Sequence, residues 1–327
     1  MKQKIIVIGG PTASGKTALA LKVAKEFNGE LINADSRQIY KYLDIGTNKE
    51  VKTEELKDKN YRRSARSEQS ERRGSPQTLS DMTIYSIEGI PIHLISFLQP
   101  NERFDVYSYQ KEASELIKDI REKGKLPILV GGTGLYIDSI LKNYQFEVGE
   151  NSQELDNLSL ENLQELLKKQ TPETFENLNN SDKNNPRRLA RLIQKSSSTT
   201  KLSTPPLDIN KYEVIFLYPE YNWDKLKEKI KLRVDQMIRE GLIKEVKEVL
   251  NLGYSKDSVA LQGIGYREVL EFLDGEIGAV EMEEDIVHAH IQYAKRQKTW
   301  FEGKGRNYKL IKVNKDNVIQ TLKDLGL

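Results

Sequence analysis

The 327-residue sequence contains no cysteine. Disulfides, cysteine-ligated zinc and a cysteine nucleophile are therefore excluded. A strong charge of either sign is also lacking, because 51 lysines and arginines stand against 49 aspartates and glutamates, for a formal net charge of +2. A nucleic-acid-binding surface would have to come from local clusters of basic residues and not from the charge of the whole chain.

Long apolar runs are absent as well. No stretch approaches the roughly 20 residues that a membrane-spanning helix needs, and the N-terminus leads into a predicted strand without the pattern of a signal peptide. We therefore expect a soluble, cytoplasmic protein with no membrane partner. The length suits one large domain or two modest domains.

Short apolar runs alternate with amphipathic stretches in the first part of the chain, and the pattern returns near residue 213. Strands separated by helices predict an α/β fold whose parallel sheet binds ligands at the carboxyl ends of its strands. Residues after 217 are predicted to be mostly helical. The predicted strands are residues 5–8 (IIVI), 30–35 (ELINAD), 90–97 (IPIHLISF), 126–130 (LPILV) and 213–217 (EVIFL).

Two stretches interrupt this alternation. Residues 51–83 are polar and rich in arginine and serine, which predicts a flexible insertion. Near residue 141 the alternation stops, and Thr171-Pro172 and Asn185-Pro186 are each typical of a helix N-cap followed by proline. We therefore predict a P-loop-type core of residues 1–140 and 207–327, flanked by helices, and an inserted small all-helical domain at 141–206.

A phosphate-binding loop follows the first predicted strand. Residues 10–17 match the pattern G-x-x-x-x-G-K-[ST] completely, between a strand and a helix, so an incidental turn is disfavoured. The backbone N–H groups and the helix N-terminus would face an anion, while Lys16 would add charge and the Thr17 hydroxyl would hold Mg²⁺. The predicted anion-binding residues are Gly10, Pro11, Thr12, Ala13, Ser14, Gly15, Lys16 and Thr17.

Two further segments are predicted at the same edge of the sheet. Asp35 follows the second strand, where its carboxylate could ligate Mg²⁺ through water or act as a general base. A turn or helix N-cap suits the same Asp-Ser pair equally well. The glycine cluster at 131–134 would line the crevice, although such clusters often serve only close packing. Glycine in place of an acidic residue at the end of that strand disfavours ATP hydrolysis.

Two basic stretches are candidates for contacts with nucleic acid. Residues 185–192 (NPRRLARL) carry three arginines, and residues 293–301 (YAKRQKTWF) mix basic and aromatic side chains, which suits a phosphate backbone with stacked bases. Spacing alone favours the alternative of a solvated face over a buried aromatic stripe. His288 and His290 are two residues apart, so on a helix they diverge and do not predict a metal site.

Spacing alone leaves two classes of function open. One is a P-loop kinase, in which the arginines of the inserted segment close over the phosphates. The other is an NTPase that binds nucleic acid through the basic and aromatic helix near the C-terminus.

Taken in order along the chain, the motifs resemble those of the tRNA dimethylallyltransferase (tRNA isopentenyltransferase) family, of the bacterial type. The resemblance covers nearly the whole chain. Relatives that use free adenine nucleotides share part of the pattern, so an adenine-nucleotide isopentenyltransferase is a further alternative. The motifs are GPTASGKTALA, DSRQIYKYLDIGTNK, IPIHLI, LVGGTGLYI, NPRRLARLI, QGIGYRE and YAKRQKTWF.

The resemblance implies transfer of the dimethylallyl group of dimethylallyl diphosphate to N6 of adenosine 37, next to the anticodon of tRNA, with release of diphosphate. The phosphate loop would then bind the leaving group, whose charge Lys16 and a Mg²⁺ ion on Thr17 would neutralise. By the same resemblance, Asp35 would be the general base, Arg233 would contact the diphosphate, and Thr133 would lie beside the reacting centre.

The resemblance also implies an interface for the anticodon stem-loop, clamped by the inserted helical domain, in a protein that we expect to be a monomer. Two departures from the family pattern are Ser96, where the family usually has aspartate, and the long arginine- and serine-rich stretch at 61–77. The predicted tRNA-binding residues are Asp35, Ser36, Arg37, Gln38, Arg187, Arg188, Arg191, Gln262, Gly265, Arg267, Lys295, Arg296 and Lys298.

Overall fold

The computed structural model describes residues 2–49, 53–55, 84–146, 155, 158–197, 206–303 and 308–327. Most of the insertion predicted at 51–83 lies outside these residues. The chain divides into two compact units, one formed by Met1–Lys142 with Pro206–Leu327 and the other by Asn143–Pro205.

The first unit contains a sheet with helices on both of its faces. Its strands are β1 (Gln3–Gly9), β2 (Gly29–Asn33), β3 (Thr53–Glu55), β4 (Tyr85–Ile87), β5 (Ile90–His93), β6 (Leu126–Gly131), β7 (Tyr212–Pro219) and β8 (Leu310–Val313). Its helices are α1 (Lys16–Glu26), α2 (Val106–Glu122), α3 (Gly134–Leu141), α8 (Trp223–Glu240), α9 (Leu242–Asn251), α10 (Tyr266–Leu273), α11 (Ala279–Glu302) and α12 (Val318–Asp324). The numbers α4–α7 belong to the second unit.

The strands are ordered β3-β4-β5-β2-β6-β1-β7-β8 across the sheet. Six of them, from β5 to β8 in that order, pair in parallel, while β4 is antiparallel to both β3 and β5. The predicted α/β fold with a parallel sheet is therefore confirmed. Strands β3, β4 and β8 were not predicted; they are short and lie at or near the edges, and β3 falls within the stretch at 51–83 that was predicted to be a flexible insertion.

The central position of β1 in the sheet explains why its sequence is continuously apolar. Ile6 and Ile8 pack on one face of the sheet with residues of α1 and α12, whereas Ile5 and Val7 pack on the other face with residues of α2 and α3. A strand that is covered on both faces needs apolar side chains at every position.

Helices α8 to α11 form a further layer, which packs with the segment at 39–43. Glu245 of α9 is buried there, and its carboxylate accepts hydrogen bonds from three consecutive backbone N–H groups: Asp44 (2.7 Å), Ile45 (2.7 Å) and Gly46 (3.1 Å). The Tyr266 hydroxyl donates a fourth, at 2.8 Å. One carboxylate thus satisfies a loop that follows β2, although the two are about 200 residues apart in the chain.

The second unit contains only helices among its described residues: α4 (Leu160–Gln170), α5 (Pro172–Glu176), α6 (Asn180–Lys183) and α7 (Pro186–Ser197). Its core includes Leu163, Leu167 and Phe175. The predicted N-cap at Asn185 is confirmed, because its Oδ1 accepts from the Arg188 N–H at 3.1 Å. Thr171 precedes α5, but its side chain makes no capping hydrogen bond.

Within the described ranges, none of the helices has the length and apolar content that a membrane crossing requires.

Glu245 provides a test of this packing. In Glu245→Gln an NH₂ group replaces one of the oxygens that face only donors, so we expect the free energy of unfolding to fall by about 3 kcal/mol. Urea denaturation measures it. The control is Glu248→Gln on the same helix, whose exposed carboxylate pairs only with Lys244 at 3.5 Å and should change stability by less than about 1 kcal/mol. Equal effects of the two substitutions would contradict the assignment.

Candidate active site

Three loops leave the sheet side by side because their strands are neighbours. In β1 and β6, Gly9 pairs with Gly131, and in β2 and β6, Asn33 pairs with Val130. Parallel strands end at the same edge, so the phosphate loop, the segment that begins at Asp35 and the glycine cluster after β6 are brought together there. A Cβ at Gly131 would lie 2.2 Å from the Ala34 backbone, so only glycine fits this close approach.

The phosphate loop ends at Gly15, which is the N-cap of α1 with φ +88° and no side-chain capping bond. The first N–H groups of α1 therefore remain open to an anion. Ser14 Oγ is buried and has no hydrogen-bond partner in the part of the chain that the structure describes. This orphaned hydroxyl and the uncapped helix are both suited to phosphate oxygens.

Two cationic side chains converge on this loop. The Lys16 Nζ donates to the Pro11 carbonyl at 2.6 Å, and Arg233 Nη1 of α8 donates to Thr12 Oγ1 at 3.1 Å. Burial lowers the pKa of Lys16 to about 7; Asp35 opposes this decrease and Arg233 adds to it. Lys16, Asp35 and Arg233 are thus within electrostatic reach of one another.

Asp35 and Thr133 also come together. Thr133 Oγ1 accepts from the Ser36 N–H at 3.0 Å and donates to Ser36 Oγ at 3.2 Å. Asp35 Oδ1 accepts from the Arg37 N–H at 2.9 Å, which is the turn-capping alternative considered above. The other carboxylate oxygen takes no part in this turn. A capping role for Oδ1 is therefore compatible with proton transfer at Oδ2.

Helix α11 supplies two side chains that the sequence analysis did not assign to the catalytic centre. Tyr293 hydrogen-bonds the Thr133 side chain, and burial, with Asp35 contributing, raises the pKa of its hydroxyl. Gln297 is buried; its Oε1 accepts from the Thr12 N–H at 2.7 Å and its Nε2 donates to the Gly132 carbonyl at 3.0 Å. Gln297 thereby joins the phosphate loop to the glycine cluster. The spacing of Tyr293 and Gln297 was a sequence signal for this shared role, because residues four apart lie on one helix face.

Trp300 is partly buried and packs against the sheet core. A Cβ at Gly134 would lie 2.2 Å from Trp300 Cδ1, so this glycine provides the space for the indole.

Most of the predicted tRNA-binding residues in the first unit reach the surface. Arg37 is exposed, and its Nη1 donates to the Val259 carbonyl at 3.1 Å. Gly265 differs, since it is buried and its N–H donates to Glu268 Oε2 at 2.7 Å at the start of α10. Exposed or half-buried residues are Ser36, Gln38, Gln262, Arg267, Lys295, Arg296 and Lys298.

The predicted arginines of the second unit all lie on α7. Arg187, Arg188 and Arg191 are exposed, while Leu189 and Ala190 between them are buried in the core of that unit. Arg188 also pairs with Asp182 at 2.9 Å. The role of these arginines in binding tRNA stays a prediction.

Comparisons with known proteins decide the family. A family model described as IPP transferase matches residues 80–304. The chain belongs to the IPP transferase family. A curated relative from Thermoanaerobacter sp. (strain X514), named tRNA dimethylallyltransferase, is 39% identical over 321 residues, which cover 93% of this chain and 90% of the relative. The predicted family membership is therefore confirmed.

Solved structures agree with the IPP transferase assignment. A full-length tRNA isopentenylpyrophosphate transferase from Bacillus halodurans aligns with a TM-score of 0.65 and 32% identity, over 99% of this chain and 95% of that one. A eukaryotic dimethylallyltransferase, described as acting on tRNA, aligns with a TM-score of 0.70 over 98% of this chain and 77% of its own. At 23% identity, this second match supports the fold alone.

Gln297 provides a test of the geometry. In Gln297→Met the Thr12 N–H loses its acceptor. We therefore expect the rate at which the Thr12 N–H exchanges with deuterium to rise by about 5- to 30-fold, which is detected in the peptide that spans residues 9–19. Mass spectrometry of that peptide measures the rate. The control is Gln292→Met, five residues earlier on α11, where the side-chain amide contacts His288 of the same helix. Unchanged exchange in Gln297→Met would show that the bridge does not hold the loop.

Proposed function

We propose that this protein transfers the dimethylallyl group of dimethylallyl diphosphate to N6 of adenosine 37 in tRNA and releases diphosphate. The observation that carries the proposal is the junction of an anion-binding loop with a carboxylate at one sheet edge, in a chain of the IPP transferase family. A carboxylate beside a phosphate loop would also suit a kinase or a nucleic-acid-dependent NTPase, so these alternatives are disfavoured by the family of the chain and not by the site geometry alone.

The donor would bind with its diphosphate in the phosphate loop. Lys16 and Arg233 supply positive charge there, and the N-terminus of α1 and the Ser14 hydroxyl supply donors. These groups are fixed before the reaction by the contacts described above. They would therefore stabilise the negative charge that grows on the diphosphate as the C1–O bond breaks.

The acceptor amine would be activated by Asp35. The lone pair of N6 is delocalised into the adenine ring, so the amine is a poor nucleophile until its proton is removed. As the N6–C1 bond forms and the C1–O bond breaks, the N6 proton would pass to the Asp35 carboxylate. Asn33 orients this residue, since its Oδ1 accepts from the Asp35 N–H at 3.2 Å and its Nδ2 donates to the Leu94 carbonyl at 2.9 Å.

Mg²⁺ is proposed as the accompanying ion. No group of three or more His, Cys, Asp or Glu side chains that could hold a metal is present in the described part of the chain. This fits Mg²⁺, which is usually held by one or two protein oxygens together with substrate phosphates and water. Thr17 in the first turn of α1 is the residue that would hold it, and the ion would supply charge neutralisation of the leaving group.

For tRNA, we propose that α11 meets the phosphate backbone with its outer face. Lys295 and Arg296 are exposed on that helix, whereas Tyr293 and Gln297 face the site. The target adenosine is stacked in the anticodon loop and would have to turn out of it to reach Asp35. The clamp role of the second unit, the cytoplasmic location and the monomeric state stay predictions.

One labelling experiment separates the alternatives. The protein is incubated with labelled dimethylallyl diphosphate and Mg²⁺, with either tRNA or free adenine nucleotides as acceptor, and a parallel reaction contains ATP and small acceptors. We expect label in tRNA at N6 of adenosine 37. Label in AMP alone, or phosphoryl transfer from ATP, would contradict the proposal.

Asp35→Asn tests the general base. Asparagine keeps an Oδ1 acceptor for the Arg37 N–H, so the turn should persist, but it cannot take a proton. We expect kcat to fall by about 10²- to 10⁴-fold while tRNA affinity changes little. The control is Asp105→Asn, at the exposed N-cap of α2, where asparagine also replaces a capping aspartate. Near-normal turnover in Asp35→Asn would rule out this role.

Lys295→Ala tests the backbone interface. Binding to an anticodon stem-loop should weaken steeply with salt, and the loss of one phosphate contact should reduce the slope of log K against log salt by about 1. Filter binding at several salt concentrations measures the slope. Lys111→Ala, which removes an exposed lysine of α2, should leave it unchanged. A salt-independent affinity would contradict the proposed interface.

A further inference from the structure

His290 lies on the face of α11 that is directed toward the site. It precedes Tyr293 by three residues and Gln297 by seven, and residues with this spacing share one helix face. Both of those side chains contact the site loops. One turn after His290, Ala294 is fully buried and packs with Leu226 and Ile230 of α8. The imidazole is therefore directed toward α8 and the phosphate loop.

Arg233 connects this imidazole with the phosphate loop. It is the charged group that acts on His290, and its guanidinium donates to Thr12 Oγ1. Lys16 is also influenced by Arg233 and by Asp35. No carboxylate is among the described groups that act on His290. Burial, reinforced by Arg233, lowers the pKa of His290 to about 4, so the imidazole is neutral in the free protein at pH 7.

The Nε2 atom of His290 is buried and has no hydrogen-bond partner among the residues that the structure describes. Buried polar atoms in native proteins are almost always hydrogen-bonded, and an exception at a binding site points to a ligand atom. Ser14 Oγ is a second buried atom without a partner, in the loop that Arg233 contacts. One of these atoms lies in the loop that Arg233 contacts and the other is on a side chain that the charge of Arg233 acts on, which suits a ligand with several acceptor oxygens.

We propose that His290 is a further diphosphate-binding residue, whose Nε2–H donates a hydrogen bond to a phosphate oxygen of the donor. This inference rests on the donor site proposed above. Diphosphate oxygens only accept, so Nε2 must carry a proton in the complex; the neutral Nε2–H tautomer would suffice for one hydrogen bond, but the negative ligand favours the imidazolium, in which both ring nitrogens carry a proton. In the free protein the charge of Arg233 disfavours the second proton on the imidazole, and the negative ligand offsets that charge. The proton is taken from solvent on binding and returned when diphosphate leaves.

The contact has a consequence for the reaction. A charged imidazolium donates a stronger hydrogen bond than a neutral group, and its strength increases as negative charge accumulates on the acceptor. His290 would therefore stabilise diphosphate more as the C1–O bond breaks than it does in the bound donor. It assists departure of the leaving group and does not take the proton of the adenine amine.

The experiment measures binding of inorganic diphosphate by calorimetry between pH 6 and pH 9, without Mg²⁺ and in buffers of different ionisation enthalpy. It compares the unaltered protein with His290→Gln. We expect the unaltered protein to take up a proton at Nε2 on binding. At pH 6 it should bind about tenfold or more tightly than His290→Gln. A pKa that is raised in the complex favours binding below that pKa, so the difference should disappear as pH approaches 9.

His288→Gln is the matched control, since His288 is exposed two residues earlier on the same helix; it should behave like the unaltered protein. His290→Asn is a second variant in case glutamine disturbs the packing. Equal affinity and equal proton uptake in the His290 variants and the unaltered protein would overturn the proposal. A loss of affinity that is constant across pH, with unchanged proton uptake, would also overturn it, because that is the result of a structural role or of a neutral donor and not of an imidazolium.

Lys16→Ala separates this inference from the donor site itself. If the unaltered protein binds diphosphate no better than Lys16→Ala, the proposed donor site is wrong. If Lys16→Ala weakens binding and the His290 variants do not, the donor site stands and the assignment of His290 fails.

Discussion

The parallel pairing of β1, β6 and β2 determines where every functional group of the core can be. Their carboxyl ends meet at one edge, and Gly131 allows β6 to approach the backbone at Ala34 closely. The phosphate loop and Asp35 therefore emerge as neighbours without any long connection. Gln297 then fixes the gap between two of these loops with two hydrogen bonds. Transfer between two substrates requires such a fixed separation, because misplacement of the reacting atoms is costly in rate.

The charged groups around this edge of the sheet are arranged so that an anionic ligand would offset the repulsion between them. Lys16 and Arg233 disfavour each other's charge, and burial lowers the pKa of Lys16 to about 7. Asp35 offsets only part of this cost, and a strong anion would offset more of it. A diphosphate in the loop would thus favour the charged form of Lys16 at the stage when the leaving group needs a positive partner.

The sequence predicted what local patterns encode. The phosphate loop follows a fixed spacing after a strand, and the resemblance of ordered motifs placed Asp35, Thr133 and Arg233 beside it. Contacts between distant segments left no signal in the local sequence. Glu245 has the sequence context of an ordinary helical glutamate, yet its carboxylate accepts hydrogen bonds from the N–H groups at 44–46. Strand β8 is short and lies at the sheet edge, so its apolar pattern was too brief to stand out. Thr171 has the sequence of an N-cap, but its side chain does not cap α5.

Helix α11 contacts the phosphate loop and the glycine cluster at the same time. Its inner face holds Tyr293 on Thr133 and Gln297 between the loops, and its outer face exposes Lys295 and Arg296. Its C-terminal end is fixed to the sheet, where the Tyr218 hydroxyl donates to Glu302 at 2.9 Å. A backbone phosphate bound on its outer face would therefore contact the same helix whose inner face contacts the phosphate loop and the glycine cluster.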